Sequence, residues 1–360
     1  MINTHNTGEL SRIHANAVIA GIIVILVSVG IPVIAGISRA KVRTIIDMAG
    51  RRVSVPDNPR RVVTVVGAPI INTFIFALGK GETIINGPNV SARVNQKDCC
   101  RFQGIFAPQF NKQPSIEGIG GTVSVETLLS LKPDLVLAGS TKSVDYIEKM
   151  GIPVVHIKVG ETAESNKEIM LLLGRVYGRQ LEAEGYIRYA NSVIDRVKAG
   201  TSGISEKKKV RVLYCNFKTM TQSSPVADWW IEAAGGISLG KGSPVKDGAR
   251  SLSPEHVLLW DPDVWVVSTP REIDMIYRDS RFKGVRAVTN RKVVSVPTGA
   301  LRWSHPTSEQ PLGLLWMAKI LYPARFRTVN MEEEIRSFYH TFFQYRVTDR
   351  QIKEVLTGIR

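Results

Sequence analysis

Across 360 residues the chain has a formal net charge of +15 and only three cysteines. That length accommodates two domains of ordinary size, each with its own core, and three thiols are too few for a disulfide framework. The Lys and Arg residues are spread, without arginine–aromatic interleaving or zinc-finger spacing, so the charge points to an anionic small molecule or a membrane surface and excludes nucleic acid as the partner.

Residues 13–38 contain no Asp, Glu, Lys or Arg, and residues 17–37 are almost wholly apolar. Such a stretch is long enough to cross a bilayer and exceeds the roughly 7–15 apolar residues of a secretory signal. It predicts an N-terminal hydrophobic helix that anchors the chain through residues 15–38, with cleavage near Ser38-Arg39-Ala40 as the alternative. No cysteine precedes Cys99, which removes lipid attachment at this end. Flanking charge alone would keep the bulk of the protein in the cytoplasm, because Arg12 stands nearly alone before the stretch while Arg39, Lys41, Arg43, Arg51 and Arg52 follow it.

Segment 1–43 is thus set apart as signal or anchor. Beyond it, Thr44-Ile-Ile-Asp-Met-Ala-Gly50-Arg-Arg-Val-Ser-Val-Pro56 reads as a hairpin around a glycine turn. Arg61-Val-Val-Thr-Val-Val66 reads as a buried strand running into Gly67, Ala68 and Pro69, with a helix over residues 71–78. Residues 86–122, rich in Gly, Pro, Asn and Gln, are too long for an ordinary connection; they are either a functional loop or a tolerated surface insertion. Within them Cys99 and Cys100 are adjacent, where a mutual bond would be strained.

One pattern then occurs twice, 129 positions apart. Glu126-Thr-Leu-Leu-Ser-Leu-Lys-Pro133-Asp134-Leu-Val-Leu-Ala-Gly-Ser140-Thr141 is matched by Glu255-His-Val-Leu-Leu-Trp-Asp-Pro262-Asp263-Val-Trp-Val-Val-Ser-Thr269-Pro270. Each copy reads as an apolar helix stopped at Pro-Asp, followed by a short buried strand that delivers hydroxyl side chains at its exit. A duplicated α/β unit of this kind places ligand at the carboxyl ends of strands, between two facing lobes.

Between the copies, residues 166–199 lack proline and keep helical apolar spacing, which predicts one rigid connecting helix of roughly 50 Å and little lobe motion. Lys207, Lys208, Lys209 and Arg211 precede a strand over residues 210–214 and read as its solvated approach; Cys215 reads as a small buried hydrophobe. A helix over residues 228–234 stops at Gly235 and Gly236. Near the end, Ile335, Phe338, Tyr339, Phe342 and Phe343 form a core stripe, and Thr348 caps a final helix. The organisation read from the residues is a lobe at 44–165, a connecting helix at 166–200 and a second lobe at 201–360.

The order Asp47-x-x-Gly50-Arg51, Val55-Pro56, Pro59-Arg60-Arg61-Val62, Leu-Lys-Pro133-Asp134-Leu-Val, a long connector and Pro311-Leu-Gly313-Leu-Leu-Trp316-Met-Ala-Lys319, followed by Tyr322-Pro323, resembles the substrate-binding proteins of iron-complex, haem and cobalamin ABC importers. The resemblance covers residues 44–358, and the closing segment looks like the branch that also holds molybdate and tungstate binders. It implies an α/β fold of two Rossmann-like lobes joined by one long rigid helix, and an extracytoplasmic receptor, not an enzyme, serving an ABC permease and its ATPase. Glu126 and Glu255 match the pair that docks on transporter arginines in that family. Read by position alone, both are first-turn acids favoured by the helix dipole.

Expected ligand residues lie at strand exits: Gly67, Ala68 and Pro69; Ser140 and Thr141; Phe217 and Lys218; Thr269 and Arg271; then Arg302, Trp303 and His305, with Arg250 from a nearby loop. Arginine forks suit carboxylate, catecholate or oxyanion, and Trp offers a stacking face. A transported ferric siderophore or related iron chelate is the expected cargo, with molybdate or tungstate, haem and cobalamin as alternatives and no resident cofactor. His305 is the best single metal ligand, but no converging set accompanies it. Catalysis is disfavoured: Gly118-Ile-Gly120-Gly121 and Gly240-Lys-Gly242 lack a phosphate-loop context, and Ser304 beside His305 is poor geometry for a nucleophile and its base.

Overall fold

The structure is a computed structural model that describes residues 41–89, 100–118, 122–160, 162–222, 226–246 and 249–358. The expected anchor at residues 15–38, Cys99, Gly120 and Gly121 lie outside these, and among the described residues no helix is long and apolar enough to cross a membrane.

Strands β1 (Val42–Ile46) and β2 (Arg52–Pro56) form the expected antiparallel hairpin, begun two residues earlier than the hairpin read from sequence. Asp47 closes its turn by accepting the N–H groups of Ala49 and Arg51, and it also accepts the N–H of His156, which ties the hairpin to the first main sheet. That sheet is parallel, in the order β3 (Val62–Val65), β4 (Leu135–Ala138), β5 (Val154–His156). Helix α1 (Ala68–Ala77) follows β3, the short α2 (Gln103–Phe106) comes next, α3 (Val125–Ser130) precedes β4, and α4 (Thr141–Glu148) leaves it.

After β5 the expected single connector is two helices, α5 (Ala163–Tyr177) and α6 (Gln180–Thr201). A capping box between Thr162 and Ser165 starts α5, and Gly178, at φ 65°, ends it in the left-handed conformation that glycine adopts without penalty. The apolar spacing continues across the break, so periodicity alone hides it. Gly178 was its only local signal. The 50 Å rod is therefore absent.

The second sheet is also parallel, in the order β12 (Val293–Ser295), β11 (Val264–Val267), β6 (Arg211–Cys215), β8 (Ile237–Ser238). Between its strands run β7 (Thr221–Gln222), α7 (Val226–Ala233), β9 (Val245–Lys246), β10 (Ala249–Ser251), α8 (Pro254–Trp260), α9 (Pro270–Arg278) and α10 (Arg286–Thr289). The chain closes with α11 (Gln310–Leu321), α12 (Met331–Thr341) and α13 (Asp349–Thr357), the last opened by the expected Thr348 cap.

Side chains alternate across each strand, and both faces are apolar because helices cover both. Val62, Leu135, Leu137 and Val155 from the first sheet join Val212, Tyr214, Val264 and Val266 from the second in one core with α5, α6 and α11. The opposite faces feed separate cores, around Val63 and Val136 in one lobe and around Leu213 and Trp265 in the other. The two sheets thus share one core. Tyr186 of α6 donates to the Ser308 carbonyl, and Asn166 of α5 donates to the Thr307 carbonyl, adding polar ties to the same block.

The described part of residues 86–122 packs against the C-terminal helices. Phe106 lies 4.9 Å from the Phe343 ring centroid and 5.1 Å from that of Tyr339, so α2 is stitched into the C-terminal aromatic stripe.

Candidate functional site

Ile70 in the first turn of α1, Cys100, and Leu301 in the loop after β12 meet in a small apolar cluster that joins the two strand-exit ends. Ser308 adds polar contacts there, its N–H donating to the Thr73 hydroxyl and its own hydroxyl to the Thr73 carbonyl.

In the first lobe the chain leaves β3 through Val66 and Gly67, at φ 48° and 94°. Glycine takes that conformation freely, whereas Val66, β-branched, is strained in it, and such strain is held in place by surrounding structure. Its carbonyl approaches the exit of β4 so closely that a Cβ on Gly139 would lie 1.8 Å from it. Its N–H donates to Glu117, whose other oxygen accepts from Asn89 at 3.2 Å. Beneath Ala68 and Pro69 runs a buried polar chain. Gln103 donates to the Pro69 carbonyl at 2.8 Å and accepts from Asn72, which accepts from the Thr64 hydroxyl. Ser140 stands at the N-cap of α4 without spending its hydroxyl on that helix, and Thr141 is exposed beside it.

In the second lobe β6 exits into a tight turn in which Asn216 N–H donates to Thr221. The Phe217 N–H donates to Glu272 at 2.7 Å, while its ring packs edge-on against Trp265 and Phe282. Thr269 also donates to Glu272, at 2.9 Å. Lys218 and Arg271 are exposed at the rim. Arg250 is committed to the buried Asp228 carboxylate, which also accepts the Ser238 hydroxyl at 2.5 Å. Cys215 is fully buried, its thiol pushed up to about 12 by burial, as a core residue should be.

The loop after β12 carries Arg302, Trp303 and His305. Trp303 is only 1% exposed, so it offers core packing and not the stacking face expected of it. Ser304 accepts the Tyr214 hydroxyl at 2.8 Å, inside the core. Desolvation, then the Arg302 guanidinium, pull the His305 imidazole down to about 4 and keep it neutral. The loop is held by Glu309, which accepts the N–H groups of Ala300 and Leu301 at 3.2 Å each and the Tyr339 hydroxyl. Desolvation raises the Glu309 carboxyl to about 7 against the pull of these donors.

Three helices, α1, α4 and α9, start at strand exits beside Gly67, Ser140 and Thr269 and place the partial positive charge of their N-termini there, although Pro69 and Pro270 remove an N–H from the first turns of α1 and α9. Among the described residues no group of three His, Cys, Asp or Glu is placed to hold a metal ion. The sequence reading missed Val66, Glu117, Gly139, Glu272 and Glu309. Only Glu272 had a local signal, the Thr269-x-x-Glu272 spacing of a capping box, although its carboxylate serves Phe217 as well as Thr269.

Glu126 and Glu255 are exposed in the first turns of α3 and α8, behind N-cap serines 124 and 253 that accept the N–H groups of Thr127 and His256. The repeat thus places the two carboxylates equivalently.

The family model described as periplasmic binding protein matches residues 107–299. The molybdate-binding protein MolA of Haemophilus influenzae is 26% identical over 84% of this chain and 91% of its own length. The iron(3+)-hydroxamate-binding protein YxeB of Bacillus subtilis is 20% identical over 57% of this chain and 55% of its own. Among solved structures, a periplasmic solute-binding protein of Veillonella parvula superposes with a TM-score of 0.75 at 26% identity, covering 88% of this chain and 97% of that one.

Proposed function

Because the chain belongs to the periplasmic binding protein family, we propose that it is the extracytoplasmic receptor of an ABC importer, and that its cargo is a tetrahedral oxyanion of the molybdate and tungstate kind. The observation that carries the cargo is that three helix N-termini start at strand exits where Trp303 is buried in the core and Phe217 is half-buried, edge-on to Trp265 and Phe282. Main-chain donors and dipole ends suit a small anion, whereas a bulky chelate needs broad apolar or stacking walls. The relative named for molybdate binding, which matches along most of this chain, supports the same reading.

In this reading the lobes at 44–165 and 201–360 hold the anion between Gly67, Ala68, Ser140 and Thr141 on one side and Lys218, Thr269, Arg271, Arg302 and His305 on the other. Glu126 and Glu255 dock the loaded receptor on the permease, whose ATPase drives uptake, and residues 15–38 tether the protein to the membrane. No chemical step on the cargo is involved.

A ferric chelate is the second reading, favoured by the exposed cations Lys218 and Arg271 at the rim and by the relative named for ferric hydroxamate binding. Titration calorimetry of the purified full-length chain against molybdate, tungstate, ferric hydroxamate, haemin and cobalamin separates the two. Saturable binding of molybdate and tungstate alone is the expected result; saturation by a chelate without response to either oxyanion overturns the cargo assignment.

A further inference from the structure

Three of the strand-exit loops, those after β3, β6 and β12, are each tied to a different buried glutamate. Glu117 accepts Val66 N–H after β3 and Glu272 accepts Phe217 N–H after β6, while Glu309 accepts the N–H groups of Ala300 and Leu301 in the segment after β12. The three side chains belong to residues only 4%, 2% and 0% exposed. We infer that Glu117, Glu272 and Glu309 are positioning residues of the cleft: each commits its carboxylate to main-chain amides of one exit loop and so fixes the shape in which that loop holds cargo. The inference rests on the binding role proposed above and names the residues that set its affinity.

Placing a carboxylate out of water is costly unless its lone pairs are used, and a loop that needed only a neutral acceptor would be served by a carbonyl or an amide oxygen. Here each carboxylate is used twice or more. Glu117 also takes Asn89, Glu272 takes Thr269, and Glu309 takes Tyr339. Two carboxylate oxygens can grip two donors at once, which fixes a loop in orientation as well as position.

The loops need such a grip. Val66 sits at φ 48°, a conformation its own side chain resists, and the only amide holding it there donates to Glu117. Gly299 has no Cβ because one would lie 1.9 Å from Glu309 Oε1 and 2.1 Å from the Tyr339 hydroxyl, so the loop is pressed directly onto the pair. The three glutamates come from unrelated places, an isolated bridge with Val123, the first turn of α9 and the residue before α11. Yet they act at the same end of both sheets.

The test uses the full-length chain with Glu117→Gln, Glu272→Gln and Glu309→Gln, and the milder Thr269→Val and Tyr339→Phe, which leave the carboxylates in place but remove one donor. Hydrogen–deuterium exchange is followed in peptides covering residues 62–68, 213–219 and 297–303, and molybdate and tungstate affinities are measured by calorimetry. Each Gln variant is expected to speed exchange at its own loop and not at the other two, and to raise Kd about tenfold; the milder variants raise it about threefold. Unchanged exchange at the matching loop overturns the inference, whether or not an oxyanion binds. Faster exchange with Kd within about twofold of the parent also overturns it, by reducing the glutamates to structural parts. If the parent binds neither oxyanion, the cargo assignment falls, and the same exchange and affinity readings with the chelate that does bind decide the positioning role. Should a Gln variant fail to fold, Tyr339→Phe and Thr269→Val decide for their loops.

Discussion

The two copies of the helix–turn–strand repeat agree at one end and differ at the other. At the amino ends of the strands, Asp134 accepts the N–H groups of Arg60 and Arg61, and Asp263 accepts that of Arg211. The Arg61 and Arg211 guanidinium groups reach back to the carbonyls of Leu131 and Trp260, which are 129 positions apart. Lys132 and Asp261, also 129 apart, both take a positive φ before the proline, at 45° and 41°. At the carboxyl ends the likeness stops. Gly139 in the first copy is Ser268 in the second, and the carboxylate that holds the neighbouring exit comes from Glu117, ahead of the repeat, in one case but from Glu272, in the helix that follows the repeat, in the other. The shared latch ties each strand to its own preceding helix, whereas the exits make contacts that differ between the two copies.

The largest test of that contrast is an exchange at the equivalent position. Gly139→Ser places a Cβ 1.8 Å from the Val66 carbonyl and should cost more than about 3 kcal/mol or displace the exit, whereas Ser268→Gly should cost only about 1 kcal/mol. Urea unfolding of both variants checks it, and equal losses would dissolve the distinction between the two exits.

A second expectation concerns Glu309, whose loop has no counterpart in the first lobe. Its folded pKa lies near 7 against an ordinary 4.5, so between those values the folded chain keeps a proton that the unfolded chain has released. The stability from this group is full below that window and is lost as pH rises through it, by roughly 3 kcal/mol if fully expressed. His305, held near 4, works oppositely, its contribution being lost as pH falls from about 6.5. Thermal unfolding of Glu309→Gln between pH 5 and 8 should lack the decline expected of the parent, and parallel curves would refute the assignment.

The latch gives a smaller effect. Asp263→Ala should cost about 2 kcal/mol and Asp134→Ala about 1 kcal/mol, since Asp263 also meets Arg286 at 2.5 Å. A denaturant midpoint that falls further for Asp134→Ala would show the latches to be unequal in the other sense. Least change of all is expected on folding from Glu126→Ala and Glu255→Ala, both fully exposed carboxylates, even though the pair together should abolish receptor-dependent uptake. Unimpaired uptake by the double variant would remove the docking role.

Legibility followed the range of the forces involved. The hairpin, the repeat, the parallel strands and the Thr348 cap were readable because apolar period, Pro-Asp stops and cap residues act within a few positions of the chain. The connector misled because its apolar stripe runs on through Gly178, and a single glycine outweighed the pattern around it. Trp303 looked like a ligand platform because its place after a strand is visible, while its burial is not. Glu117 and Val66, 51 positions apart, gave no local sign of each other.

The sequence by itself determined a duplicated α/β unit, with a glutamate at the start of each equivalent helix and candidate donors at strand exits, because each of those features is written in local spacing and in the repeat. Only the tertiary structure decided that the two sheets share one core, that Trp303 faces inward, and that three buried glutamates hold exit loops. Those outcomes depend on which distant side chains compete for the same apolar volume and the same main-chain amides, and that competition is settled by packing in three dimensions.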